Sequence, residues 1–243
     1  TPLMLAMDAE WGLGMRLDST ISFPREMALG ASDDPELIYD FGQEMARQLK
    51  RIGVHISFSP VVDVNNNSNN PVINYRAIGE NKHLVTELGI AYMKGLQENG
   101  VLACAKHFPG HGDTDVDSHK ALPTITHSKE RLDSIELFPF KELISKGLGS
   151  AMIAHLYIPA LDSSSKLNPS TLSRPIVSDL LQKELGFNGL VFTDAMNMQG
   201  IAKYFEPGEM DVKALQAGND VLLFPGDVPK AFNKIHEALK DST

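Results

Sequence analysis

Gly100-Val101-Leu102-Ala103-Cys104-Ala105-Lys106-His107-Phe108-Pro109-Gly110-His111-Gly112-Asp113-Thr114-Asp115-Val116-Asp117-Ser118-His119 reads as a buried strand running into a knot of titratable groups. The first six residues are apolar or small, as in a strand covered on both faces. Behind them, one Lys, three His and three Asp crowd into a segment broken by Gly110 and Gly112. A strand that ends in such groups is how an α/β enzyme presents chemistry at its rim. A purely structural loop has no use for so many groups that titrate between about pH 4 and pH 7.

Working outward, the same pattern recurs. Apolar runs at Leu3–Met7, Val54–Val62, Ala151–Ile158, Leu190–Thr193 and Val221–Phe224 join Val101–Ala105 as strand candidates. Amphipathic segments fall between them. Asp34 can cap a helix that starts at Pro35 and stops before Gly53, with Leu37, Phe41, Met45 and Leu49 as its buried stripe. Leu84–Asn99, Ser128–Lys146, Ser173–Leu185 and Glu209–Ala217 read as further helices. Such alternation means a parallel sheet, either doubly wound or closed into a barrel. Gly12 and Gly14 match a dinucleotide-binding fingerprint only in part. A β/α barrel is favoured because most strands end in polar groups. Asp8 and Glu10 follow the first, Asp63 the second, and Lys106 and His107 the third. His155 sits in the fourth, and Asp194 ends the fifth. With six strands recognised, one β/α unit at least is absent or hidden. The chain also opens almost at once on an apolar strand, which reads as a trimmed start. Residues 1–243 are expected to be one catalytic barrel domain, a fragment of a longer protein.

Composition narrows the partners. A formal charge of −9 argues against nucleic acid and anionic membranes. No apolar run is long enough to span a bilayer. The single cysteine, Cys104, excludes an internal disulfide and leaves the compartment open. Its place in an apolar run suits a buried small side chain. Two long loops, Trp11–Gly30 and the Asn-rich Asn65–Asn81, stand where a pocket would be shaped. The blander reading of the Asn run is a solvated turn.

Several residues can carry chemistry. Asp194 closes a β-branched strand and is pinned by the sheet, as a nucleophile must be; capping the following helix is the alternative. Asp117 and His119 stand two apart, so an extended chain puts them on one side, where a carboxylate raises the imidazole pKa. A solvent-facing pair is the alternative. Lys106, His107, Arg76 and Asp8 suit the hydroxyls of a sugar, and a ligand would account for a lysine at a strand end. The His/Asp cluster could also ligate a divalent ion, but it lacks standard zinc spacing, and neither metal nor cofactor is expected.

The segment Lys106–Thr114, with Asp117-Ser118-His119 and Pro123 behind it, resembles the signature of glycoside hydrolase family 3, and in particular its NagZ-type β-N-acetylglucosaminidase branch. Asn70-Pro71-Val72-Ile73 leading to Arg76, Pro169–Ser173 and Phe192–Met196 agree with it in order. The resemblance implies a retaining β-hexosaminidase on a TIM-type barrel, acting on terminal β-linked N-acetylglucosamine of peptidoglycan fragments. It makes Asp194 the nucleophile, His119 the acid/base, Asp117 its support, and Asp8, Arg76, Lys106 and His107 the sugar-binding groups. It also implies a strand and helix ahead of Leu3 and, in some members, a further C-terminal domain. Asp8-Ala9-Glu10-Trp11-Gly12 replaces the usual Asp-Gln-Glu-Gly-Gly, which bears on substrate choice. Another β-glycoside, or transfer of the sugar to phosphate, is the alternative activity, and a non-catalytic sugar-binding module the outside one. The loop Gly110–Leu122 is expected to move, with His119 remote from Asp194 until substrate binds.

Overall fold

The computed structural model describes residues 2–117, 121–164, 167–202, 205–206 and 208–240. Its centre is a parallel sheet of β1 (Ala6–Met7), β2 (Ile56–Ser57), β3 (Leu102–Phe108), β4 (Ser150–Ile153) and β5 (Leu190–Thr193), in the order β1-β2-β3-β4-β5. A doubly wound sheet reverses its strand order at a switch point. This one never does. Helices follow the strands in turn: α1 (Glu26–Gly30), α2 (Pro35–Arg51), α3 (Lys82–Gln97), α4 (Lys129–Ser134) and α5 (Leu137–Ser145). A π-wound helix, Pro175–Glu184, precedes β5, and α6 (Gln199–Ala202), α7 (Glu209–Ala217) and α8 (Val228–Lys240) come after it. The result is half of a TIM-like barrel.

Period-two alternation divides the strand side chains. Ala103, Ala105, Ala151, Ile153 and Val191 face outward into the main core, under Leu88, Leu96, Phe140 and Leu181 of the helices. Ile56, Phe58, Cys104, Met152 and Phe192 form a second cluster that fills the barrel side. Cys104 and Phe192 point there, so two residues on, Lys106 and Asp194 do too. Cys104 is fully buried, and its burial pushes the thiol up to about 12. It is packing, as its sequence context implied.

Asp34 caps α2 through bonds to Glu36 N and Leu37 N (3.0 and 3.1 Å), with Pro35 in the first turn. The stripe is displaced, however. Leu37 is exposed, and Ile38, Phe41, Met45 and Leu49 are buried, because an apolar face at a strict spacing of four drifts off a helix of 3.6 residues per turn. Ser128–Lys146 breaks into α4 and α5 at Ile135 and Glu136. β1, β2 and β4 are shorter than their apolar runs, and β3 is longer, taking in Lys106, His107 and Phe108. The expected sixth strand appears as a single parallel bridge, Phe192 to Val221. α1 lies inside the expected loop Trp11–Gly30.

Candidate active site

The strand ends converge on a cavity of about 320 Å³. Its polar wall holds Asp8, Glu10, Arg16, Arg76, Lys106, His107, His111, Asp194 and Asn197. Five of these nine, Asp8, Arg76, Lys106, His107 and Asp194, are site residues proposed from the sequence; Glu10 stands there only as a residue that follows the first strand. Lys106 is buried, and its Nζ donates to Asp8 Oδ1 and lies equally close to Glu10 Oε1, both at 2.8 Å. Arg76 grips Glu10 with a two-pronged pair, Nε to Oε2 at 2.9 Å and Nη2 to Oε1 at 2.7 Å. Arg16 Nη2 takes the other oxygen of Asp8 at 2.7 Å. Burial works to raise both carboxyls. Lys106, with Arg76 at Glu10 and Arg16 at Asp8, reverses this and holds both below the usual carboxylate range. The buried lysine thus finds its partners within the protein, not only in a ligand.

Beneath the cavity, fully buried Asp63 accepts from the backbone of His107 (3.2 Å) and of His111 (2.6 Å), and from His107 Nδ1 (2.7 Å). This fixes the His107 ring, whose Nε2 lies 3.4 Å from Arg76 Nη2. Burial and the neighbouring His107 lower His111 to about 4, so its ring is neutral at neutral pH. The Lys106–His107 and Phe108–Pro109 peptide bonds are cis.

Asp194 sits one residue beyond β5. Its backbone N donates to Ile153 O (2.9 Å), which holds it to β4. Its Oδ1 accepts from Ala195 N at 2.8 Å. The next helix, α6, starts five residues later, so the carboxylate is not its cap. Burial would raise the Asp194 carboxyl. The His155 and His107 rings, the Ala195 N–H and Lys106 outweigh it, and the group stays below its ordinary value. His155 is itself fully buried. Its Nδ1 pairs with Thr171 Oγ1, and its Nε2 donates to Ala195 O at 3.0 Å, fixing the backbone just after Asp194.

The Asn run is not merely a solvated turn. Asn70 is buried; its Nδ2 donates to His111 O (2.8 Å) and Gly112 O (3.0 Å), and its Oδ1 accepts from Val72 N and Ile73 N. Gly112 must approach that closely. A Cβ there would lie 1.8 Å from Val64 O. Gly110 takes φ 127°, which side chains rarely adopt. Both glycines therefore serve close packing at the start of the loop. His127 Nε2, at the loop's far end, pairs with Asp113 Oδ2 at 2.6 Å. Asp117 is half-buried and is not among the described residues lining the cavity. His119 lies outside the described residues. Among the described residues, no group of three His, Cys, Asp or Glu is placed to hold a metal ion.

A sequence model described as the glycosyl hydrolase family 3 N terminal domain matches residues 1–243. The chain belongs to that family. This family 3 domain is 40% identical over 238 residues to the β-hexosaminidase A of Pseudoalteromonas piscicida, covering 92% of the chain and 40% of the relative. The solved family 3 β-N-acetylglucosaminidase of Paenibacillus sp. str. FPU-7 superposes with a TM-score of 0.94 at 40% identity, over all of this chain and 46% of that one. A β-glucoside phosphorylase, BglX, also superposes at 0.94, with 26% identity over 99% of this chain and 45% of that one. The chain therefore spans less than half the length of these relatives.

From the sequence, Glu10 and Asp63 are not proposed as site residues; His111 is considered only as a metal ligand and Asn70 only within the Asn70-Pro71-Val72-Ile73 motif. Glu10 and Asp63 did carry a signal, since each stands just past a strand. Asn70 carried one too, as the first residue of the Asn70-Pro71-Val72-Ile73 motif, but its partners could not be read from it.

Proposed function

We propose that this domain is the catalytic part of a retaining β-N-acetylhexosaminidase that releases terminal β-linked N-acetylglucosamine, with peptidoglycan fragments as the natural source. The observation that carries the reading is electrostatic. All three carboxyls on the cavity wall are held below their ordinary values, so none has a proton to give at neutral pH. A glycosidase of the usual kind keeps one carboxyl protonated as its acid. Here Asp8 and Glu10 are tied to cations, which suits gripping a sugar and not protonating it. The resemblance to family 3 gives the acid's role to His119, assisted by Asp117.

In the first step an Asp194 oxygen attacks the anomeric carbon. The bond to the aglycone oxygen breaks, and that oxygen takes its proton from the His119 imidazolium. In the second, the now neutral His119 accepts a proton from water. The water oxygen attacks the anomeric carbon and releases Asp194. Phosphate in place of water is the second reading, favoured by the close superposition on BglX.

Turnover of a p-nitrophenyl and a methyl β-N-acetylglucosaminide tests the assignment. Asp194→Asn should abolish both. His119→Ala should slow the methyl glycoside by about 10²–10⁴-fold, the usual worth of a general acid. It should slow formation of the glycosyl-enzyme from the p-nitrophenyl compound far less. Equal losses at that step would remove His119 from the acid's role. A sugar phosphate as the main product in phosphate buffer would select phosphorolysis.

A further inference from the structure

Phe224 is a large aromatic residue that stands exposed at the cavity. It lines the same cavity as Asp194, yet it is 62% exposed. Its backbone has φ 47°, a left-handed conformation that bulky residues seldom take. The chain holds it there from both sides. Val221 O accepts from Thr193 N (3.0 Å), Leu223 N donates to Thr193 Oγ1 (2.9 Å), Leu223 O accepts from Met196 N (2.8 Å), and Pro225 follows. Leu222 and Leu223 pack on core clusters, so the segment is anchored up to the residue before Phe224. A strained backbone that displays a phenyl ring to water at a pocket points to a ligand.

The residues that line the cavity differ in burial. Lys106 and His107 are buried, and Asp194 is half-buried; these groups suit a ring of hydroxyls and its reacting carbon. Met198 is buried, whereas Phe224 reaches solvent. A sugar whose anomeric carbon meets Asp194 lies against the buried groups. Whatever lies beyond the scissile bond must leave toward solvent, which Phe224 reaches. A pyranose has a face made of C–H groups, which matches an aromatic face.

We infer that Phe224 is the platform on which the leaving sugar stacks, so that it sets the preference for a carbohydrate aglycone. The inference rests on the glycosidase reading above and adds a specificity residue to it.

The test compares two substrates with alkoxide leaving groups, a β-1,4-linked N-acetylglucosamine disaccharide and the methyl β-N-acetylglucosaminide, in the full-length protein. In Phe224→Ala the ratio of their kcat/KM values should fall about tenfold against the disaccharide, mostly through KM. Phe224→Trp should restore the ratio. Phe224→Gly accommodates the left-handed backbone without strain, so it controls for folding and should show the same fall as alanine. An unchanged ratio, or equal loss on both substrates, would overturn the platform. A wild-type protein that cleaves neither would refute the glycosidase reading and the platform with it.

Discussion

Replacing Asn70 by alanine should cost the protein about 3–5 kcal/mol. The estimate follows from the amide's full engagement. Its two N–H groups meet the carbonyls of His111 and Gly112, and its oxygen takes the N–H groups of Val72 and Ile73. Asn70 is 1% exposed, and three of these four partners belong to buried residues. Each bond is worth about 1 kcal/mol net, and a buried group left unmatched costs somewhat more. For a chain of this size the loss corresponds to a fall in Tm of roughly 10 °C. Urea unfolding followed by the fluorescence of Trp11, the single tryptophan, reads it directly. Asn70→Asp separates the two halves of the clasp. It keeps the acceptor for Val72 and Ile73 but sets an anionic oxygen against two carbonyls. At pH 7.5 it should destabilise at least as much as alanine, and recover as falling pH protonates the new carboxyl. A loss under about 1 kcal/mol in Asn70→Ala would refute the idea that this amide ties the Asn loop to the His111–Gly112 turn.

Two further predictions concern pH. His111 is buried and neutral with a folded value of about 4 against about 6.5 unfolded, so its contribution is complete above pH 6.5 and drains away as pH falls toward 4; between pH 7.5 and 5 the wild type should lose about 2 kcal/mol more than His111→Asn in the same unfolding assay. Glu26 behaves in the opposite sense: burial, with Glu10 nearby, raises its carboxyl well above the ordinary value while it accepts from Val61 N, so the folded state prefers the proton and is penalised increasingly above about pH 4.3. Glu26→Gln should gain stability over the wild type as pH rises from 5 to 8, and a difference that does not change with pH would count against a neutral Glu26.

What could be read from the sequence was what local chemistry determines. Leu190–Thr193 is a strand of the same bounds in both readings, because four apolar or β-branched residues between Gly189 and Asp194 admit little else. Asp34-Pro35 announces a helix start by its own hydrogen bonding. The barrel was legible because polar residues stand at the same end of strand after strand. What failed was the pairing. Lys106 and Asp8 are 98 residues apart and meet only because β2 separates β1 from β3 by two strand spacings. No local pattern encodes that distance, so the lysine's partner was sought in a ligand. The Asn70 clasp failed for the same reason, since its carbonyl partners lie 41 and 42 residues on.

The pairing also explains what the polar wall does for Asp194. Around the cavity and just beneath it stand the permanent cations Arg16, Arg76 and Lys106 and the carboxylates of Asp8, Glu10, Asp63 and Asp194. Three cations against four carboxylates leave one negative charge in excess when the histidines are neutral. The ion pairs show where it resides: Asp8 and Glu10 have Lys106 with Arg16 or Arg76, and Asp63 has the His107 and His111 N–H groups. Asp194 has no arginine or lysine in salt-bridge contact among the described residues. Without Lys106 and Arg76, the charges on Asp8 and Glu10 would oppose ionisation of Asp194, as like charges sharing a site do. With them, those carboxylates are neutralised at close range and Asp194 keeps its charge. On the glycosidase reading, a transition state with positive charge spread over the anomeric carbon and ring oxygen is then met by a carboxylate that no lysine or arginine touches among the described residues. On the glycosidase reading, Lys106 and Arg76 therefore do two things at once. They present donors to the sugar, and they keep their neighbours from interfering with the nucleophile.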